Sequence, residues 1–235
     1  MDAKPTYLIT GASSGIGYAT ASKLSENSDL RVIALARNHE ALQKLCLESG
    51  NRIIPLKFDL EKQSPIELLS ILSNLQITAL DGIIHNAGRL VNRPFGEIGG
   101  EELRSCYEVN VFAPFLMTQA LLPLLKTGKM PHVIHIGSVG GVQGSVKFPG
   151  LSAYSSSKGA IALLTECLAL ELEPEGIRVN CLALGAVQTE MLAQAFPGYQ
   201  APVTAGSMGE LVSWFLLNGH HYFNGKILPV ALSTP

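Results

Sequence analysis

Tyr154 and Lys158 stand four residues apart in a segment with helical spacing, so their side chains share one helix face. A phenol beside an ammonium is an acid–base pair. Tyrosine ordinarily titrates at about 10, and a neighbouring positive charge stabilises the phenolate and should draw that value toward neutral pH. Ser138, which follows an apolar run, can hydrogen-bond an oxygen on which negative charge develops. Such a trio suits proton delivery to a carbonyl oxygen, or removal of the proton from an alcohol. It holds no hydride, which a bound cofactor must supply. Alone, a tyrosine and a lysine at this spacing are ordinary surface residues, so the weight falls on what accompanies them.

The first accompaniment is Thr10-Gly11-Ala12-Ser13-Ser14-Gly15-Ile16-Gly17, placed between the first apolar run and the first helical segment. Glycine permits positive φ and lets a pyrophosphate approach the backbone, and a helix N-terminus offers unpaired N–H groups to phosphates. About twenty residues on, an acidic side chain would take the adenosine ribose hydroxyls of NAD(H). Here the second run ends Leu35-Ala36-Arg37, with no carboxylate at its tip. A carboxylate would repel a 2′-phosphate, whereas arginine can hold one. Arg37, with Ser13 and Asn38 as further donors, points to NADP(H) rather than NAD(H); the bland alternative is a solvated arginine on a loop.

These residues need elements to position them. Tyr7–Thr10, Arg31–Ala36, Arg52–Leu56, Gly82–His85, His132–Gly137 and Arg178–Leu184 read as strands, and their mostly continuous apolar character predicts parallel strands covered on both faces. Helical spacing marks Ile16–Glu26, His39–Leu47, Ser64–Leu72, Glu101–Leu125 and Ser152–Glu173. Asn38 can cap the second helix, and Ser64-Pro65 can open the third. Met208–Leu217 adds a late helix before a final strand at Lys226–Val230. This alternation predicts an α/β fold: one doubly wound parallel sheet with right-handed crossovers. Ligands bind such sheets at the strand C-termini, where the glycine-rich loops fall.

The turn has GxxxGxG spacing rather than GxGxxG. With Asp59 after the third strand, Asn86-Ala87-Gly88 after the fourth, Asn110 in a long helix, Ser138 after the fifth and Tyr154-xxx-Lys158, it resembles the short-chain dehydrogenase/reductase family in ordered motifs over nearly the whole chain. The resemblance implies a Rossmann-like sheet with helices on both faces, as one domain over residues 1–235. It implies that Gly11, Ser13, Ser14, Gly15, Ile16 and Gly17 face the cofactor's pyrophosphate side. Asp59 and the Leu60 backbone would hold the adenine, and Asn86, Ala87 and Gly88 would pack on the ribose. Tyr154 and Lys158 would both touch the cofactor as well as act in catalysis, with the lysine gripping the nicotinamide ribose. Asn110 would hold a water that relays protons to the lysine. The Val187 backbone and Thr189 hydroxyl match positions that hold the nicotinamide carboxamide. Two departures stand out: Leu184-Gly185 replaces Pro-Gly, and Lys226–Pro235 lacks Asp-Gly-Gly. The stretch from Glu190 to Ser207 would be a mobile lid; Met191, Leu192, Phe196 and Tyr199, with Phe148, favour an apolar substrate body. Family members commonly associate through the helices at Glu101–Leu125 and Ser152–Glu173, so a homodimer or homotetramer is expected. Phe112, Phe115, Ile161, Leu164, Leu168 and Leu172 are candidates for that surface.

Composition narrows the alternatives. The 235 residues carry a formal net charge of -2, which supplies no general attraction to nucleic acid or anionic membrane. No apolar run reads as long enough to span a bilayer, and MDAKPTYLIT has no signal pattern. Cys46, Cys106, Cys167 and Cys181 are scattered and the histidines unclustered, so neither disulfides nor a metal site is expected and a cytoplasmic setting fits. The reading is an NADP-dependent oxidoreductase acting on a small-molecule carbonyl or alcohol. A dinucleotide-binding sensor on the same fold is the alternative; it would dispense with the tyrosine or lysine, and both are present. His85 reads as a packed strand residue.

Overall fold

The computed structural model describes residues 4–232. Seven strands form one sheet: β1 (Thr6–Thr10), β2 (Arg31–Ala36), β3 (Ile53–Lys57), β4 (Gly82–His85), β5 (His132–Ser138), β6 (Arg178–Leu184) and, last in the chain, β9 (Ile227–Val230). Their order is β3-β2-β1-β4-β5-β6-β9 and every neighbouring pair is parallel. The chain winds outward from β1 to one edge and then from β4 to the other, leaving a crevice where the order reverses.

Successive residues of a strand point to opposite faces, and the core divides accordingly. Ile9, Val32, Ala34 and Ala36 pack toward helices α1 (Gly15–Ser25), α2 (His39–Glu48) and α8 (Ala205–Asn218), whose Leu24, Leu42 and Val212 belong to the same cluster. Leu8, Ile33 and Leu35 pack the opposite way, toward α3 (Pro65–Asn74), α5 (Ala113–Leu125) and α6 (Ser152–Glu171), through Leu68, Leu121 and Ala169. Asn38 and Ser64 cap α2 and α3 with their side chains, as expected, and Pro65 fills the first turn of α3.

The long helix expected at Glu101–Leu125 is interrupted. It runs as α4 (Gly100–Tyr107), a π-helical turn at Glu108–Phe112, and α5. Pro114 explains the break: it has no N–H for the carbonyl four residues back, that of Asn110, and its ring crowds that carbonyl. Taken together, Gly100–Leu125 is long and apolar enough to cross a membrane by length and composition, so the expectation that no run reaches that length is corrected. In this fold Met117, Leu121 and Leu125 of that segment are buried in the core. The stretch after β6 is also more ordered than a loop: β7 (Val187–Gln188) pairs with β8 (Val203–Thr204), and a short helix α7 (Glu190–Ala195) lies between them.

Candidate active site

The glycine turn is locked from behind. Asn86, just past β4, donates its side-chain amide to the carbonyls of Thr10 (3.0 Å) and Gly11 (3.2 Å), while the Thr10 hydroxyl accepts from the N–H of Asn86 and of Ala87. A Cβ on Gly17 would sit 2.4 Å from the Asn86 amide and one on Gly11 2.7 Å from Ala87 Cα, so neither position has room for a side chain. Gly11 and Gly15 hold φ of 68° and 56°, the left-handed region that glycine enters without penalty. Ser14 is the N-cap of α1 yet makes no side-chain capping bond, and the first turn carries no acid. The N–H groups and positive end of α1 therefore face the cleft uncapped, a donor set that fits a phosphate.

One cleft of about 810 Å³ gathers most of the residues singled out. Its lining includes Gly11, Ser13, Ser14, Gly15 and Ile16 from the turn, Arg37, Asp59 and Leu60 from the tips of β2 and β3, and Asn86, Ala87 and Gly88. Ser138, Tyr154, Lys158, Val187 and Thr189 complete that set. Gly17 and Asn110 lie behind the wall.

Ser138 ends β5, and Tyr154 and Lys158 lie on α6; the Ser138 hydroxyl, near enough to influence the phenol, accepts the Gly140 N–H at 3.2 Å. Lys158 is almost wholly buried and donates to the Ile136 carbonyl at 2.7 Å; its Nζ lies 5.8 Å from the centre of the Tyr154 ring. A Cβ on Gly88 would lie 3.6 Å from that Nζ and 3.5 Å from Asn110 Oδ1, so the motif after β4, the lysine and the asparagine converge. Asn110 sits in the π turn, where the widened helix turns its amide inward. There it accepts from the Arg89 N–H (2.8 Å) and donates to the Arg89 carbonyl (2.9 Å) and the Ser157 hydroxyl (2.9 Å).

Electrostatics at this end depart from the sequence expectation. Burial pushes the Tyr154 phenol up to about 12, and the neighbouring Ser138 hydroxyl offsets this only in part. Burial also draws Lys158 down from 10.5 to about 8. Sharing a helix face makes the pair neighbours, but desolvation disfavours both charged forms and outweighs the expected pull of the ammonium on the phenol. At neutral pH the site thus holds a protonated phenol and a lysine close to its titration point.

Thr189, the expected carboxamide partner, caps α7 by accepting from the Leu192 N–H at 3.2 Å, which leaves its own hydroxyl proton to donate. The segment that follows is tied to the rest of the cleft. Asn92 donates to the Ala195 carbonyl at 2.7 Å, and the Phe196 ring meets Phe148 edge-on at 6.3 Å. Sequence reasoning missed Asn92, Glu61 and Arg89, all of which line the cleft; none lies in a spacing pattern that would mark it.

A family model described as short chain dehydrogenase matches residues 5–200. The chain belongs to the short chain dehydrogenase family. It is 35% identical over 191 residues to the NADPH-dependent 1-acyldihydroxyacetone phosphate reductase of Saccharomyces cerevisiae, a match covering 80% of this chain. The chain spans 63% of that reductase's own length. Among solved structures, a short chain dehydrogenase from Shigella flexneri complexed with NADP is 30% identical, with a TM-score of 0.85 over 96% of each chain. The 3-ketoacyl-(acyl-carrier-protein) reductase of Brucella melitensis complexed with NADH has the same TM-score over 97% of this chain and 96% of its own; at 24% identity it speaks for the fold. Family members of this kind are oxidoreductases on a Rossmann-type sheet that binds a dinucleotide, and the glycine turn and uncapped helix here fit one.

Proposed function

We propose that this chain is an NADP(H)-dependent oxidoreductase that interconverts a small-molecule carbonyl compound and its alcohol, with Tyr154 as the acid–base group. The observation that carries the reading is the convergence of Ser138, Tyr154, Lys158 and Gly88 on one cleft, with Asn110 directly behind. The nicotinamide, when bound, supplies or accepts the hydride. Everything else falls to the protein. Ser13, Ser14, Gly15 and Ile16 would receive the phosphates at the start of α1, Arg37 the 2′-phosphate, Asp59 and Leu60 the adenine, and Asn86 and Ala87 the ribose side. Val187 and Thr189 would hold the carboxamide. Lys158 would bond the nearer ribose, and Asn110 would hold the water behind it.

A phenol with a pKa of about 12 keeps its proton at neutral pH; it is therefore set to donate that proton to a carbonyl oxygen while Ser138 steadies the developing charge. This is the protonation state that the reducing direction requires. NADP in the Shigella relative's complex and Arg37 at the tip of β2 support the phosphorylated coenzyme. Phe148, Leu151, Met191, Leu192 and Phe196 give the substrate end an apolar lining, and residues 190–207 contain no lysine or arginine. A free ketone or aldehyde with an apolar body fits better than a chain tethered to an acidic carrier protein. We place the protein in the cytoplasm, as one domain without a nucleic-acid or membrane partner; Cys46, Cys106, Cys167 and Cys181 are all free thiols.

We also propose a homodimer or homotetramer, over a surface revised from the sequence. Ile161 and Leu172 are buried and Leu168 packs against the core, because they fall on the sheet-facing stripe of α6. Phe112 and Phe115, at 48% and 43% exposure, remain outside and are joined by Leu163 and Leu170 at 62% and 74%. A two-fold contact through these residues would be self-complementary. Sedimentation at micromolar concentration should show an oligomer, and monomer alone would remove this part of the proposal. The central test is steady-state NADPH consumption with a panel of ketones and aldehydes. Turnover of an apolar member is expected; dinucleotide binding without turnover of any member would favour a sensor.

A further inference from the structure

The neighbouring strands β2 and β3 end in register at Ala36 and Lys57, which sets Arg37 beside the turn Asp59-Leu60-Glu61. That turn is stiff: an Asp59 carboxylate oxygen accepts the Glu61 N–H at 3.1 Å, and the Asp59 N–H donates to the Gln63 side chain at 2.8 Å. The Glu61 carboxylate is held on three sides. Arg37 Nη1 lies 3.3 Å from one oxygen; Arg89 Nη1 lies 3.6 Å from the other, which also accepts from the Ser105 hydroxyl. Glu61 is 21% exposed, whereas Arg37 is 68% exposed and Arg89 44%. The acid is thus the anchored partner and Arg37 the more exposed one. Arg37, Glu61 and Arg89 all line the cofactor cleft.

We propose that Glu61 sets the coenzyme preference, acting as a fixed counterion that competes with a 2′-phosphate for Arg37. A phosphate arriving at Arg37 must share its guanidinium with a carboxylate of its own sign. A ribose that carries a 2′-hydroxyl meets no such repulsion and can donate to the same carboxylate. Arg37 therefore pulls toward NADP(H) and Glu61 toward NAD(H), and the affinity ratio reports their balance. Arg89 holds the acid in place from the far side, because its backbone is clasped by Asn110.

The inference rests on the dinucleotide reading above, and its test separates the two. Calorimetric titration of wild type, Glu61→Gln and Glu61→Asp with NADP+ and NAD+, and with adenosine 2′,5′-bisphosphate and adenosine 5′-monophosphate, gives affinities independent of activity. Glu61→Gln should raise the ratio of NADP+ to NAD+ affinity by about fivefold at low salt, the scale of one exposed charge pair. The gain should shrink at high salt. Glu61→Asp, which keeps the charge, should stay near wild type, and the two adenosine fragments should repeat the pattern. If Glu61→Gln does not fold, Glu61→Ser takes its place. An equal loss for both coenzymes with an unchanged ratio would make Glu61 a purely structural tie and overturn the inference while leaving dinucleotide binding intact. Wild type that binds neither coenzyme would overturn both.

Discussion

The two ends of the cleft are built by opposite means. At the proposed catalytic end, Lys158 and Asn110 are buried with their partners fixed, Lys158 on the Ile136 carbonyl and Asn110 on Arg89 and Ser157, behind the half-buried Ser138 and Tyr154. At the other end, where the adenosine is proposed to bind, Arg37, Glu61 and Arg89 meet in exposed or half-exposed ion pairs. Buried groups with complete hydrogen bonding hold one geometry and have their charge states set by desolvation. Exposed pairs are weak, screened by salt and easily rearranged. Chemistry belongs in the first environment and choice between similar ligands in the second, where small free-energy differences decide.

The contrast can be broken most decisively at Tyr154. Tyr154→Phe removes the proton but little volume, so it should lower kcat at least about a hundredfold, with NADPH affinity near wild type. Retained turnover would take the acid–base role away from this end. The charge state offers a second, graded test. Lys158 titrates at about 8 in the folded chain, so its ammonium is present below that pH and lost above it. If the ammonium is needed, kcat should fall above about pH 8, approaching about tenfold per pH unit. Titration of Lys158 does not itself destabilise the fold over that range. Between about 8 and its ordinary 10.5, Lys158 binds its proton more tightly in the unfolded chain, so its contribution to stability rises with pH. A rate flat to pH 10 would show that the charge is dispensable. The smallest effect belongs to the other end. Arg37→Asp should weaken NADPH by about tenfold while changing NADH little, as a charge-assisted partner becomes a repelling one. Equal losses would place the 2′-phosphate away from Arg37.

The same contrast governs how much could be read from the chain. Continuous apolar runs such as Arg31–Ala36 and Arg178–Leu184 match their strands residue for residue, because strands covered on both faces leave little room for polar residues. The glycine turn, Asn86-Ala87-Gly88 and Tyr154-xxx-Lys158 could be found because their chemistry requires fixed spacing. Glu61, Arg89 and Asn92 could not, since loops carried by different elements bring them to the cleft. The titration of Tyr154 is not legible in the sequence for a related reason: spacing reveals a neighbour, whereas burial depends on the whole tertiary structure. Pro114 marks the break at Asn110 only in hindsight, since Pro123 sits inside α5 without interrupting it.

The Asn86 clasp has one further consequence. It joins the tips of β1 and β4 across the crevice where the sheet reverses direction, so the glycine turn takes its shape when the sheet assembles rather than when a ligand arrives. The entropy of ordering that turn is then spent during folding, leaving association free of it. The turn behaves as a cast socket. Whatever adapts to the incoming molecule must be sought in the side chains around its rim and in the segment beyond Thr189.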